Sequence, residues 1–312
     1  MLFEWLKVAH YNKTYLSRPM RSSLAVWLFG LVARLPLPVL HRIGAALGWL
    51  TYRLSARYAQ LLRQNFYAAC HGLPQRDKLF KACVTEAGKA LIELPWVWCR
   101  PLDEVMTMVQ KCHGQECIET AQARGKGLIF LTPHMGCFEI AGLYIAEHLP
   151  ITVLYRPPRL SWLEQIMRNG RERSQVQLAR TDISGVRLLI KALKRGESIG
   201  LLPDQVPGKG EGEWADFFCR PAYTMTLAGR LIASTGAAVV MVYVERLAQG
   251  AGYIIRFTPL EFVADVSIAR QINAALEKIV LTCPTQYLWS YNRYKVPSGL
   301  KSPPPEMPAT SK

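Results

Sequence analysis

The chain predicts an α/β fold, a mostly parallel or mixed central sheet flanked by helices, with a helical segment ahead of it. Three observations carry that prediction. From Gly125 onward, short apolar runs of strand length alternate with stretches of helical length, the pattern of βαβ units. One such run, Leu128 to Leu131, is followed by Thr132-Pro133, and proline cannot donate to a sheet ladder. The chain has 312 residues, half of them hydrophobic, which is enough to bury one large core or one core with a helical appendage.

Taken in order, residues 1–23 are a polar, basic amino-terminal segment. Residues 24–55 form an apolar helical segment: Leu24 to Ala33 is a run of ten apolar residues, Arg34, Pro36 and Pro38 interrupt it, and Val39 to Leu50 resumes with His41 and Arg42 inside. No stretch reaches the roughly 18 uninterrupted apolar residues of a spanning helix. The segment is therefore expected to lie in or dip into a membrane, with a single tilted span and an ordinary amphipathic helix packed on the domain as the alternatives. Lys13, Arg18 and Arg21 favour a cytoplasmic amino terminus, and no small-x-small cleavage site follows the apolar core. Residues 56–120 read as a helical region packed on the core, with helices from Ala56 to about Gln110. The α/β domain is expected over 121–298, with strands at 127–131, 151–154, 198–202, 238–244 and 254–257. Helices are expected at 138–148, 161–175, 184–195, 224–235 and 266–281. The tail, 299–312, is proline-rich and expected to be disordered.

The net charge of +15 is unevenly spread. Residues 1–65 hold nine Lys and Arg against the single acid Glu4, and residues 156–195 hold ten against three, so these two windows account for the whole excess. A basic region beside apolar segments suits an anionic membrane surface, and a basic window just past a candidate catalytic loop suits an anionic substrate. Nucleic acid is not the expected partner: there is no zinc-finger spacing, no RNA-binding aromatic signature and no basic-zipper heptad. The eight cysteines include no C-x-x-C and are scattered through apparent helices and strands, which favours reduced thiols facing the cytosol. Cys112-His113-x3-Cys117 lacks the fourth ligand of a metal site.

The chemistry centres on His134, which the strand at 128–131 delivers into a loop, and on Glu139, which opens the next helix. Within one continuous helix, side chains five apart point roughly 140° from each other and cannot pair. With His134 before the helix and Glu139 in its first turn, they can. The carboxylate is expected to accept a hydrogen bond from one imidazole nitrogen and to leave the other free as a general base. Downstream, Arg156 in Tyr155-Arg-Pro-Pro-Arg159 lies just past a strand end on the same rim, and arginine suits phosphate or carboxylate because its planar fork keeps its charge and bonds in pairs. A later strand ends in Pro203-Asp204-Gln205 before the glycine-rich Val206 to Gly212. That loop fits neither phosphate-binding glycine signature, and neither H-E-x-x-H nor G-x-S-x-G is present. The missing serine elbow argues against a serine nucleophile.

His134-Met-Gly-Cys-Phe-Glu139 resembles the H-x4-[D/E] motif of the lysophospholipid acyltransferase superfamily. Arg156 resembles its second motif, an arginine that contacts the anionic acceptor. Pro203-Asp204-Gln205 and Asp216-Phe-Phe-Cys-Arg-Pro-Ala222, with Thr224-Met-Thr226 as the expected helix start, resemble the third and fourth motifs of the lipid A late acyltransferases. Pro284 to Lys295 resembles their closing signature. Two departures stand out: Cys219 replaces the usual glycine, which bears on the local turn, and the histidine usual near Tyr291-Asn292 is missing. The resemblance covers about residues 20 to 296 and implies a fold like that of glycerol-3-phosphate acyltransferase. It implies a fatty acyl group carried as a thioester on acyl carrier protein or coenzyme A, a co-substrate with no resident cofactor, and a hydroxyl acceptor on a Kdo-bearing lipid A precursor. It further implies action at the cytoplasmic face of a bacterial inner membrane, with His134 and Glu139 as the catalytic pair and Arg156, Arg171, Asp204 and Gln205 at the substrate site. Backbone N–H groups near the Gly136 turn are the expected oxyanion donors. Another membrane acceptor, a lysophospholipid or a mannoside glycolipid, and an inactive membrane-peripheral homologue are the alternatives.

Overall fold

A computed structural model describes residues 24–301 and 303, so the basic segment 1–23 and most of the proline-rich tail lie outside the described residues. Among the described residues, five helices come first: α1 (Leu24–Ala33), α2 (Leu37–Leu54), α3 (Ala56–Ala69), α4 (Arg76–Cys99) and the short α5 (Leu102–Thr107). Then come β1 (Val109–His113), α6 (Glu116–Gln122), β2 (Leu128–Leu131), α7 (Phe138–Ala146), β3 (Ile151–Tyr155), α8 (Ser161–Arg171), β4 (Val176–Arg180), α9 (Ile183–Lys194) and β5 (Ser198–Leu201). A hairpin, β6 (Gly212–Phe217) and β7 (Arg220–Met225), is followed by α10 (Leu227–Thr235), β8 (Ala238–Arg246), β9 (Tyr253–Leu260) and α11 (Ile268–Thr282).

Seven strands form one sheet in the order β1-β9-β8-β2-β5-β3-β4. All its pairings are parallel except β8 with β9, so the sheet is mixed and mostly parallel, as expected. β2 and β5 lie at its middle and are buried along their whole length. That explains why neither alternates: β2 is an unbroken apolar run, and in β5 only Ser198 is polar. Ile129 and Leu131 face one apolar layer, with Leu189 of α9, Leu231 of α10 and Ile272 of α11; Leu128 and Phe130 face the other, with Ile140 and Leu143 of α7 and Ile166 of α8. The 24-residue α4 supplies both layers, Phe80 and Val84 to the first and Trp96 and Val97 to the second.

Helix α2 lies against α4 with almost no gap. A Cβ on Gly88 would meet the Gly44 carbonyl oxygen at 1.9 Å, and one on Gly48 would meet that of Val84 at 2.2 Å. The helices close to backbone contact only because these positions lack side chains. With one side of α2 spent on α4, its other side shows Val39, Ile43, Leu47, Leu50 and Leu54 to solvent, a stripe at helical spacing. Leu24, Trp27, Leu28 and Leu31 continue it on α1. No helix among the described residues is long and apolar enough to cross a membrane.

Four strands differ from the sequence expectation. β1 closes what reads as a helical region; it is an edge strand with a mixed polar sequence and no apolar alternation. β4 lies at 176–180, where no element was expected, and the helix expected at 161–175 stops short of it at Arg171, because Arg173 turns its guanidinium back onto the carbonyls of Gly170, Val97 and Arg100, and Ser174 takes a positive φ of 52°. β6 and β7 occupy the stretch read as loop, and Thr224 belongs to β7, with Thr226 at the start of α10. The two-residue turn between them is Phe218-Cys219, both at positive φ (49° and 56°), the geometry in which glycine or asparagine is expected.

Candidate active site

Parallel pairing of β2 with β5 sets the site. Their register aligns Leu131 with Leu201, and each strand runs on through a proline to a polar residue three positions later, His134 after one and Asp204 after the other. The two side chains therefore meet above the middle of the sheet, at the carboxyl ends of its parallel strands, where α/β folds place their ligands. Asp204 Oδ1 is 2.7 Å from His134 Nδ1, and its Oδ2 accepts the His134 backbone N–H at 2.8 Å. Asp204 is buried, at 2% exposure, while the imidazole is 18% exposed. Burial pushes the Asp204 carboxyl up, but the neighbouring His134 and its two hydrogen bonds outweigh that and hold it below the ordinary range. An ionised carboxylate at Nδ1 requires the proton to sit on Nδ1, which leaves a lone pair on Nε2. Gln205 Nε2 lies 3.1 Å from that nitrogen, and the Phe138 ring packs against the imidazole with centroids 5.0 Å apart.

Glu139 does not hold His134. It sits in the first turn of α7 as expected, but its Oε2 accepts from Trp98 Nε1 at 2.9 Å and from Arg171 Nε at 2.7 Å, and Arg171 Nη2 bonds its Oε1. The Arg171 guanidinium also lies over the Trp98 indole, 5.6 Å from the ring centroid. Burial raises the Glu139 carboxyl and Arg171 more than reverses this, so the residue is a buried carboxylate with a full set of donors. It contributes its field to His134 rather than a hydrogen bond. The expected pairing fails because Asp204, on the neighbouring strand, is already in line with Nδ1, whereas Glu139 faces α8 and the end of α4.

The loop between these residues is braced from below. Gly136 has φ +58°, and a Cβ there would lie 1.8 Å from the Val244 carbonyl oxygen, so only glycine closes this turn. Gly136 N–H donates to the Gln286 carbonyl, Cys137 N–H to that of Val244, and Met135 N–H to that of Pro133; the His134 carbonyl accepts from Leu288 N–H. These bonds answer the expectation of oxyanion donors near Gly136: the three amides are already committed. The Gly136 carbonyl accepts from Arg246 Nη2 at 3.0 Å, and Arg246 is clamped by Glu93 through Nε at 2.5 Å and Nη2 at 2.6 Å. Glu93 also meets His41 of α2 at 2.9 Å and the Tyr253 hydroxyl at 3.1 Å, and Glu86 pairs with Arg246 Nη1 at 2.8 Å. Sequence reasoning missed this buried network. Its two signals were a charged residue ending an apolar strand at Arg246 and an acid, Glu93, within the apolar end of α4.

Arg156 follows β3 on the same rim, beyond β5, so about 10 Å of sheet separates it from β2. It is exposed and has no hydrogen bond or ion pair among the described residues. Of the predicted set, His134, Asp204 and Gln205 thus come together, Glu139 and Arg171 form a second pair beside them, and Arg156 stands at the rim. All eight cysteines are free.

The profile of bacterial lipid A biosynthesis acyltransferases matches residues 12–296. The chain is 28% identical over 291 residues to the lipid A biosynthesis lauroyltransferase of Escherichia coli (strain K12), covering 89% of this chain and 93% of that protein. It is 27% identical over 277 residues to the palmitoleoyltransferase of the same organism, covering 86% and 88%. Against its myristoyltransferase the identity is 25% over 258 residues, covering 81% and 78%. A match running through both site pairs, the bracing loop and nearly the whole sheet is a match to the family as a whole: the chain belongs to the bacterial lipid A biosynthesis acyltransferases and is an acyltransferase.

Proposed function

We propose that the protein transfers a fatty acyl chain directly from a thioester, on acyl carrier protein or coenzyme A, to a hydroxyl of a Kdo-bearing lipid A precursor, with His134 as general base. The observation that carries this reading is the His134–Asp204 pair, which leaves Nε2 as the one basic nitrogen on a half-buried ring. The acceptor O–H gives its proton to Nε2 as its oxygen attacks the carbonyl carbon. Asp204 holds the Nδ1–H tautomer and stabilises the imidazolium that forms, the part first expected of Glu139. Glu139 and Arg171 form a rigid charged wall beside the ring, and Arg156 receives a phosphate or sugar carboxylate of the acceptor. The reaction needs no resident cofactor. Acyl carrier protein is acidic, and the basic windows steer it.

The same reading places the chain on the cytoplasmic face of the bacterial inner membrane. A stripe of nine large apolar side chains on α1 and α2, from Leu24 (70% exposed) to Leu54 (76%), is wider than a soluble surface tolerates, and Arg34, Arg42 and Arg53 beside it suit anionic headgroups. Wild type should float with vesicles containing anionic lipid. A Trp27→Glu, Leu47→Glu variant that floats equally well would exclude this face.

The deciding assay is transfer of labelled acyl groups from a panel of acyl carrier protein and coenzyme A thioesters to Kdo-lipid A precursor, lysophosphatidic acid and a mannoside glycolipid. Wild type is expected to acylate the first acceptor, and His134→Ala to lose transfer while keeping its melting temperature. Transfer to another acceptor would reassign the substrate. Near-normal turnover by His134→Ala would sink the mechanism.

A further inference from the structure

Attack on the thioester pushes an electron pair onto its carbonyl oxygen, and that oxygen needs donors already in place. The loop carrying the base does not offer its amides. His134 N–H is bound to Asp204, Met135 N–H to Pro133, Gly136 N–H to Gln286 and Cys137 N–H to Val244. A donor must therefore come from another element facing the same nitrogen, and Gln205 is placed for it. Its backbone follows the buried Pro203 and Asp204, which fix its origin, while its side chain is only half-buried. Its Nε2 stands 3.1 Å from His134 Nε2. Because the imidazole presents a lone pair there, it is the N–H end of the carboxamide that meets it. Neither the second amide hydrogen nor Oε1 has a partner among the described residues, so no other contact holds the group in this orientation.

We propose that Gln205 is a further catalytic residue of the acyl transfer inferred above, on which its role rests: its carboxamide holds the lone pair that the acceptor hydroxyl must take and, once displaced, donates to the thioester oxyanion. The geometry makes the exchange local. A hydroxyl that replaces the amide on Nε2 has the carbonyl carbon about 3 Å away at attack, so the carbonyl oxygen arrives next to the amide just displaced. In the forward step the O–C bond forms, the hydroxyl proton moves to Nε2, and the carbonyl π pair moves to the oxygen facing the Gln205 N–H. In the return step the carbonyl reforms, the C–S bond breaks, and the leaving thiolate takes the proton from Nε2. The products are an ester and a thiol, and His134 is neutral again.

Gln205→Glu keeps the shape and removes the donor; Gln205→Ala removes the side chain. Both are expected to lower kcat by about 10²–10³-fold with KM for the acceptor little changed, because the contact exists only in the transition state. A phosphonate analogue of the tetrahedral intermediate should lose affinity by a similar factor in Gln205→Glu, while a non-reactive thioether analogue of the acyl donor should bind as to wild type. A purely structural role would lower both affinities or the melting temperature together. If wild type transfers and Gln205→Glu keeps near-normal kcat, the role is overturned and passes to the Phe138 and Glu139 amides that open α7. If wild type transfers to no acceptor in the panel, the acyl-transfer reading falls and takes this role with it.

Discussion

Asp204 shows what a single side chain decides at this site. It gives both its oxygens to one residue, one to the His134 ring and one to its backbone N–H, so it fixes the ring's position and its tautomer together. Asp204→Asn keeps the volume but points either an amide N–H at Nδ1–H or a weaker acceptor at it. A loss of about 10²–10⁴-fold in kcat is expected, larger than for Glu139→Gln, and comparing the two by single-turnover transfer checks the assignment. Only half of this partnership is written in the sequence. Leu131-Thr-Pro-His134 and Leu201-Leu-Pro-Asp204 have the same form, an apolar strand, a proline, then a polar residue at the third position, and two such strands paired in parallel must bring those residues side by side. His134 to Glu139 is a local spacing and draws the eye first; His134 to Asp204 depends on strand order, which no local pattern states. Arg171 is similar: its sequence marks it as a ligand for an anion, and the anion it finds among the described residues is Glu139.

Elements were read well where burial is two-sided and poorly where it is not. β2 is wholly apolar, and β5 and β8 are nearly so, because helices cover both faces, and the chain states them plainly. β1 and β4 are the outermost strands, polar and short, so nothing in their composition distinguishes them from neighbouring helix or loop. The β6–β7 hairpin hid for another reason. Its turn puts Phe218 and Cys219 at positive φ, a conformation that costs an ordinary residue about 1–2 kcal/mol and is normally announced by glycine or asparagine. Packing compensates: Phe218 N–H donates to Glu277 on α11 at 3.0 Å, and the Phe217 and Phe218 rings lie 4.7 Å apart. Cys219 is exposed, and Cys219→Gly should stabilise the fold by roughly 0.5–1 kcal/mol, which urea denaturation can measure.

At the scale of the molecule, three buried carboxylates among the described residues, Glu93, Glu139 and Asp204, are kept ionised by basic partners. For Glu93, burial works against ionisation and Arg246 with His41 more than offsets it, bringing the group from its ordinary 4.5 down to about 2. Unfolding between these values takes up a proton. The stability it represents is therefore complete above pH 4.5 and is lost as pH falls toward 2, on the order of 3 kcal/mol for this residue alone. Melting temperature should fall steeply over that range, and Glu93→Gln should flatten the fall while lowering stability near neutrality. A Glu93→Gln melting profile parallel to that of wild type would count against the carboxylate as the source.

Three contacts run from α2 to the reacting loop: His41 to Glu93, Glu93 to Arg246, and Arg246 to the carbonyl of Gly136, which lies in the turn that carries His134. The glycine seam between α2 and α4 runs alongside. Helix α2 is therefore part of the foundation of the site. A shortened enzyme beginning near residue 56 would uncover the Gly88 seam, strip Glu93 of one of its donors and loosen the floor beneath His134. Such a truncation is expected to lower the melting temperature and acyl transfer together, which thermal denaturation beside the transfer assay checks.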